Sequence, residues 1–380
     1  MKSCFHPRLL SALLPAALIL ALPGPTPARS ARHHLPAEFR RIVFVGDSIT
    51  DGDTYPLLIQ QALAEAGYDP PTVINAGVAS DTAALMHARL DRDVFPHHPT
   101  LVTLSAGIND GLRGVTLDAY RQEITAIADR LRQEKIPLLL LTTSVYGPKH
   151  SENEANLALY NSFLHDLARQ YGLRIAEVNR LQQEARAAGK EVMEEDNVHP
   201  NFLGQSLMAR AVLDAMGYAD VPLPTEFKPA LMPGIITVWS IRPTPDKAPP
   251  LDENSALNLQ PDAAWKTLAL PQTDTKPTWW SEQERKRGLA QDLDKLIGPS
   301  SSFQGLAYVS SKGRRKVYFN TGAQLHSIWL NGKRIDLNEA WTGWHPGKER
   351  IPAELQSGRN TIAIETGSAF FLSITGDDKW

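Results

Sequence analysis

The chain has 380 residues, 42% hydrophobic, 21% charged and 7% aromatic, a globular composition that excludes a disordered, collagen-like or coiled-coil protein and suits two domains. Its 39 basic and 42 acidic residues leave a formal charge of −3, so no basic field exists for a phosphate backbone and no nucleic-acid partner is expected. The one cysteine, Cys4, excludes an internal disulfide and a structural Cys-zinc site.

Residues 1–31 read as a signal peptide. Lys2 and Arg8 make a basic start, 9–22 are almost wholly apolar, and the small residues Thr26 and Ala28 offer a cleavage site after Ala28. The apolar run is shorter than the ~20 residues a membrane span needs, and Pro15 interrupts it. Cys4 precedes the run, so it is not a lipoprotein cysteine. A secreted or periplasmic location without a membrane span is expected, and cleavage leaves a cysteine-free chain.

Over residues 38–218 short apolar runs alternate with amphipathic stretches. The runs 41–45, 72–75, 100–105, 137–145 and 174–178 are apolar on both sides of the pleat, as strands of a buried parallel sheet are. Between them, Leu117, Tyr120, Ile124, Ile127 and Leu131 fall on one helical face, with Thr116 as a cap and Pro137 beyond the end. Leu157, Tyr160, Leu164, Leu167 and Tyr171 define a second. This alternation predicts a doubly wound α/β fold.

Residues 219–234 contain Pro222, Pro224, Pro229 and Pro233 and read as a linker. Beyond it, 235–380 hold all eight tryptophans and short alternating runs at 235–241, 306–310, 316–320, 325–330, 360–366 and 370–375. Asn331-Gly332 is a two-residue hairpin signal, since both residues tolerate positive φ. An antiparallel β-sandwich with long insertions at 243–250 and 272–295 is expected. The charged run at 281–287 reads as a solvated loop or helix face.

The chemistry gathers at strand ends. Gly46-Asp47-Ser48-Ile49-Thr50 follows the first run, Ala76-Gly77 the second and Gly107-Ile108-Asn109-Asp110 the third. In an open parallel sheet these lie at one edge, where ligands bind. Downstream, Asp196-Asn197-Val198-His199-Pro200 precedes a final helix starting near Asn201. Acyl transfer needs a nucleophile, a base, an acid that orients the base, and donors for the oxyanion. Ser48 supplies the hydroxyl, His199 the base and Asp196 the orienting carboxylate. The backbone N–H groups of Ser48 and Gly77 and the side-chain amide of Asn109 supply donors. Each piece alone has a plainer reading as a turn, cap or surface loop. Together, in order, they fill every role of one reaction.

GDSIT at 46–50, NAG at 75–77, GIND at 107–110 and DNVHP at 196–200 resemble the four blocks of the SGNH hydrolases, the GDSL-type esterase/lipase superfamily. The resemblance covers about residues 40–218. It implies a flavodoxin-like three-layer α/β/α domain, a Ser48/Asp196/His199 triad and an oxyanion hole using Gly77 and Asn109. GDSITDG looks most like the branch of bacterial carbohydrate esterases. The stretch 300–375 resembles galactose-binding-like modules, in which Trp341 and Trp344 could meet a sugar, whereas Trp239 and Trp329 sit in strand patterns and read as core.

The expected function is a secreted serine esterase acting on short acyl esters of a small molecule or polysaccharide. The alternatives are a lysophospholipase or thioesterase of the same superfamily, or a glycan-binding surface protein with an inert hydrolase half. No Gly-x-Ser-x-Gly elbow, phosphate loop or Gly-x-Gly-x-x-Gly occurs, so no cofactor is expected. An aspartyl nucleophile at Asp47 lacks its usual second Asp, since Ile49 stands there. Asp47, Asp51 and Asp53 read as cap and dipole chemistry, not as a metal site. Asp51, Asp53, Asp81, Asp110 and Arg113 are expected on the lips of a polar site.

Overall fold

The computed structural model describes residues 33–272, 284–337 and 349–376. Residues 1–32 with Ala28 and Cys4, Trp279, Trp280 and Trp380, and the stretch with Trp341, Trp344 and His345 lie outside the described residues.

The first half is built on five parallel strands in the order β2-β1-β3-β4-β5. They are β1 (Arg41–Gly46), β2 (Thr72–Gly77), β3 (Leu101–Ser105), β4 (Leu138–Leu141) and β5 (Arg174–Ala176). Ile42, Val43, Phe44 and Val45 are all buried, so both faces of β1 are covered, as its unbroken apolar run requires. Helices α1 (Ser48–Asp51) and α2 (Thr54–Glu65) follow β1. Then come α3 (Ala83–Ala88), α4 (Leu90–Asp93), α5 (Ile108–Leu112), α6 (Leu117–Gln133), α7 (Glu154–Tyr171), α8 (Val178–Ala187) and α9 (Phe202–Ala215). α9 packs with α2 and α8, while α6 packs with α3 and α7, which gives the helical layers of an α/β/α domain. Tyr120, Ile124, Ile127 and Leu131 of α6 are buried, and the Thr116 hydroxyl accepts from Ala119 N, so the predicted face and cap are both present.

The expected strand 137–145 ends at Leu141. There the Thr142 N–H donates to the Ala176 carbonyl at the end of β5, and the chain leaves the sheet. Ser144 and Val145 stay buried because both donate to Gln182 Oε1. The run 174–178 is likewise divided between β5 and α8, which starts at Val178.

The second half is antiparallel. Its strands are β6 (Val238–Pro243), β7 (Lys266–Ala269), β8 (Phe303–Ser311), β9 (Arg315–Leu330), β10 (Lys333–Ile335), β11 (Glu349–Leu355) and β12 (Gly358–Thr375). The order is β10-β9-β12-β8-β6-β7, with β11 also on β9. β9 joins two of the expected runs and β12 two others. β9 meets β11 along its first part and β10 at its end, while β12 pairs β8 early and β9 from Ile362 to Thr375. Register shifts beside Thr366 interrupt the pairing of β12 with β9, as a β-bulge does. Asn331 and Gly332 have φ of 53° and 80° and turn β9 into β10, as the hairpin signal requires. Trp239 and Trp329 are buried, and Trp239 meets Phe370 edge-on.

The residues from 33 onward form one compact unit. Leu289, Ala323, Ala369 and Phe371 of the second half belong to the same apolar core as the parallel sheet. The proline-rich segment is strapped to α2, where Gln61 Nε2 donates to the Glu226 carbonyl and Lys228 N donates to Gln61 Oε1. No described helix is long and apolar enough to cross a membrane.

Candidate active site

Three strand ends and one distant loop build the site. At the end of β1 the chain enters α1 directly, and the Asp47 carboxylate caps it by accepting from Ile49 N at 3.0 Å. Ser48 is therefore the first residue of a helix whose position is set by the strand before it. Buried Arg89 holds the same junction. It donates to the Gly46 carbonyl at 3.0 Å and to Asp81 and Asp93 at 2.6 and 3.1 Å.

The Asn75 side chain fastens α1 to β2. Its Nδ2 donates to the Thr50 and Asp51 carbonyls at 2.9 and 3.2 Å, and its Oδ1 accepts from Gly77 N at 2.9 Å. Gly77 lies so close beneath α1 that a Cβ there would sit 2.4 Å from Asp51 N. Asn109, at the start of α5, donates through Nδ2 to the Asp81 carbonyl at 3.0 Å. An amide nitrogen has two hydrogens, so this bond leaves Asn109 a second one.

His199 comes from the tight loop before α9. Glu194 N donates to the His199 carbonyl at 2.8 Å, and Asp196 Oδ1 accepts from both Val198 N and His199 N at 2.9 Å. Gly147 N donates to the Asn197 carbonyl at 2.8 Å and ties this loop to the one after β4.

These elements bring His199 Nε2 within 2.8 Å of Ser48 Oγ, across 151 residues of sequence. His199 Nδ1 lies 2.6 Å from Asp196 Oδ2. A carboxylate only accepts, so Nδ1 carries the proton and donates to Asp196, which leaves Nε2 to accept from the Ser48 hydroxyl. Partial burial raises the Asp196 pKa, but its bonds from the His199 and Val198 N–H groups and from the His199 ring outweigh that and hold it below its ordinary value. Asp196 therefore stays ionised at neutral pH and orients the ring. The arrangement can take a proton from a hydroxyl poised at a strand end.

A cavity of about 650 Å³ opens beside Ser48 and His199. Its wall also includes Asp51, Glu194, Glu195, Gln205 and Glu284. Of the expected lip residues only Asp51 lines it. Asp53 is buried, Asp81 is bound to Arg89, and Asp110 accepts from Ala83 N at 3.2 Å. Arg113 donates to the Ser80 carbonyl.

Glu284 belongs to the charged run expected to be solvated. In the described part of that run Glu284, Arg285 and Arg287 are only 4%, 3% and 6% exposed. Their charges find partners inside: Arg287 pairs with Asp53, Arg285 with Asp292, and Gln291 Nε2 donates to Glu284 at 2.9 Å. Sequence spacing carries no sign of this docking, because every partner across the halves is far away in the chain. Gln205 lies one turn into α9 beyond the His199 loop, and a turn-by-turn reading of that helix could have found it. Among the described residues no group of three or more His, Cys, Asp or Glu side chains is arranged to hold a metal ion.

The model of the GDSL-like Lipase/Acylhydrolase family matches residues 44–207, the span that contains Ser48, Gly77, Asn109, Asp196 and His199. This segment is thus similar to the GDSL-like lipase/acylhydrolase family. It is 36% identical over 125 residues to Esterase TesA of Pseudomonas aeruginosa, covering 30% of this chain and 62% of that protein. It is 27% identical over 216 residues to an acetylxylan esterase of Geobacillus stearothermophilus, covering 47% of this chain and 94% of that one. An arylesterase of Vibrio mimicus is 29% identical over 121 residues, with 30% and 60% covered. The chain thus spans less than two thirds of the length of the Pseudomonas and Vibrio relatives. A solved structure of a catalytic mutant of the Geobacillus acetylxylan esterase aligns at a TM-score of 0.45 and 21% identity, over 49% of this chain and 97% of that one.

Proposed function

We propose that the GDSL-like domain is a serine esterase that cleaves short acyl esters, acetyl above all, from a carbohydrate or a small hydroxylated molecule. The observation that carries this reading is the 2.8 Å approach of His199 Nε2 to Ser48 Oγ with Asp196 on the other ring nitrogen. The relatives named esterase and acetylxylan esterase support the substrate class.

In the proposed reaction His199 takes the hydroxyl proton as Ser48 Oγ bonds to the ester carbonyl carbon, and Asp196 stabilises the imidazolium. The tetrahedral oxyanion is received by the Ser48 N–H, by the second hydrogen of Asn109 Nδ2 and by the Gly77 N–H. Ser48 begins α1, so its N–H has no acceptor within the helix. The Gly77 N–H must turn from Asn75 or be shared with it. The C–O bond to the alcohol then breaks, and His199 gives its proton to the departing oxygen. Water, deprotonated by the same nitrogen, attacks the acyl-Ser48 carbonyl. The acid leaves and Ser48 regains its proton.

No described residue of the cavity wall is a lysine or arginine that would greet a phosphate, which disfavours the lysophospholipase alternative. The leader at 1–31 supports export of the mature chain, and the N-terminal sequence of protein recovered outside the cytoplasm tests that.

The function is tested with a panel of acetyl, butyryl and octanoyl esters beside acetylated xylan and pectin. We expect the acetyl and xylan esters to be hydrolysed fastest and Ser48→Ala to lose activity on all of them. Glycan binding with no hydrolysis of any ester supports the inert-hydrolase alternative instead.

A further inference from the structure

The cavity beside Ser48 is far larger than an acetyl group needs, so it must also receive the alcohol portion of the ester. One wall residue is polar, buried and unsatisfied. Gln205 is 2% exposed, and its Oε1 has no hydrogen-bond partner among the described residues. Buried side-chain oxygens are nearly always paired, and an exception calls for an explanation.

A glutamine nearby shows what a purely structural one does. Gln182 is also buried, and its Oε1 accepts from Ser144 Oγ and Val145 N at 2.8 and 3.0 Å while its Nε2 donates to the Gly204 carbonyl. Gln205 is held differently: its backbone N–H is fixed to the Asn201 carbonyl at 2.8 Å, its carboxamide oxygen is buried without a partner, and a turn of the side chain would present that oxygen to the cavity the residue lines. The charges around it narrow the ligand. Asp51, Glu194, Glu195 and Glu284 line the same space, so an anion is repelled and a neutral hydrogen-bond donor is accepted.

Building on the esterase reading above, we propose that Gln205 is a specificity-determining residue that accepts a hydrogen bond from a hydroxyl of the alcohol portion of a neutral, polyhydroxylated ester. Glu284 brings the second half into the same subsite. A hydroxyl donor satisfies the buried oxygen, and an alcohol without one leaves it unpaired, which is how a site built for a hydroxyl rejects its deoxy analogue.

The test compares full-length protein on glycerol monoacetate and propyl acetate, which share the acyl group and carbon chain and differ in hydroxyls. The wild type is expected to favour glycerol monoacetate by about tenfold or more in kcat/KM. In Gln205→Leu that ratio should collapse toward unity, chiefly through KM, whereas Gln205→Glu, which keeps an acceptor, should retain most of it. Acetylated galactose should be cleaved about tenfold faster than acetylated galacturonate, the anion. Equal wild-type rates on the first pair, or an unchanged ratio in Gln205→Leu, overturn the proposal. The wild-type comparison stands even if the variants do not fold. Hydrolysis of neither ester overturns the esterase reading together with this one, whereas hydrolysis of both without preference overturns this one alone.

Discussion

Asp47 stands next to Ser48 and is only 2% exposed. Burial pushes its carboxyl from the ordinary 3.8 up to about 7, against the opposing pull of the Ile49 N–H and of His199. The folded protein therefore holds this proton more tightly than the unfolded chain does. Its contribution to stability is complete below about pH 4 and is lost as pH rises through 7. Asp47→Asn stays neutral and can still cap α1. The variant should gain stability relative to wild type as pH rises from about 4 to 7, by at most roughly 4 kcal/mol. Denaturant unfolding at a series of pH values measures this, and a difference that does not change with pH contradicts it. Ser48, Asp196 and His199 were legible in the sequence because each sits in a short motif, the first at the end of β1 and the other two in the loop before α9. The left-over oxygen of Gln205 was not, because its meaning depends on which partners the fold withholds.

At the scale of elements, the junction of α1 with β2 sets where Ser48 points. Gly77 is required there by distance, since a Cβ would press on the backbone of Asp51. Gly77→Ala should force α1 away from β2, costing about 1–3 kcal/mol of stability and lowering kcat with it. Paired measurements of Tm and kcat check this: loss of stability with undiminished kcat would show that α1 can shift without moving Ser48. The parallel strands were readable from the sequence because burial on both faces writes an unbroken apolar run. The long strands were not. The stretch Asn320-Thr321-Gly322-Ala323 in β9 looks like a turn, and Ala323 does have a φ of 56°. Pairing with β12 on one side carries the strand through that kink. Local preference favoured a break, and sheet pairing overrode it.

At the scale of the whole molecule, the second half is joined to the first through buried charge. Arg287 reaches Asp53, just after α1, and both are nearly inaccessible. Burial lowers the arginine to about 9, so it remains charged at neutral pH and answers the aspartate. On the other side, burial and the nearby Arg350 of the second half draw His97 of the first down to about 4. Arg287→Met should destabilise the protein by about 3–5 kcal/mol, because it leaves the Asp53 charge buried alone. Adding Asp53→Asn should recover part of that loss. Unfolding measurements on the two single variants and the double variant test the pair, and strictly additive losses contradict it. The charged run was misread as solvated because composition alone says charge prefers water. What decides the outcome is a partner carboxylate from a segment more than two hundred residues earlier.

The most direct measurement is to stop turnover of an activated acetyl ester within its first cycle and map the acetyl group by peptide mass spectrometry. The account predicts acetyl on the peptide containing Ser48, and its absence from His199→Ala under the same conditions. Continued hydrolysis with no acylated Ser48, or acetyl on another residue that forms and decays at the rate of turnover, contradicts it.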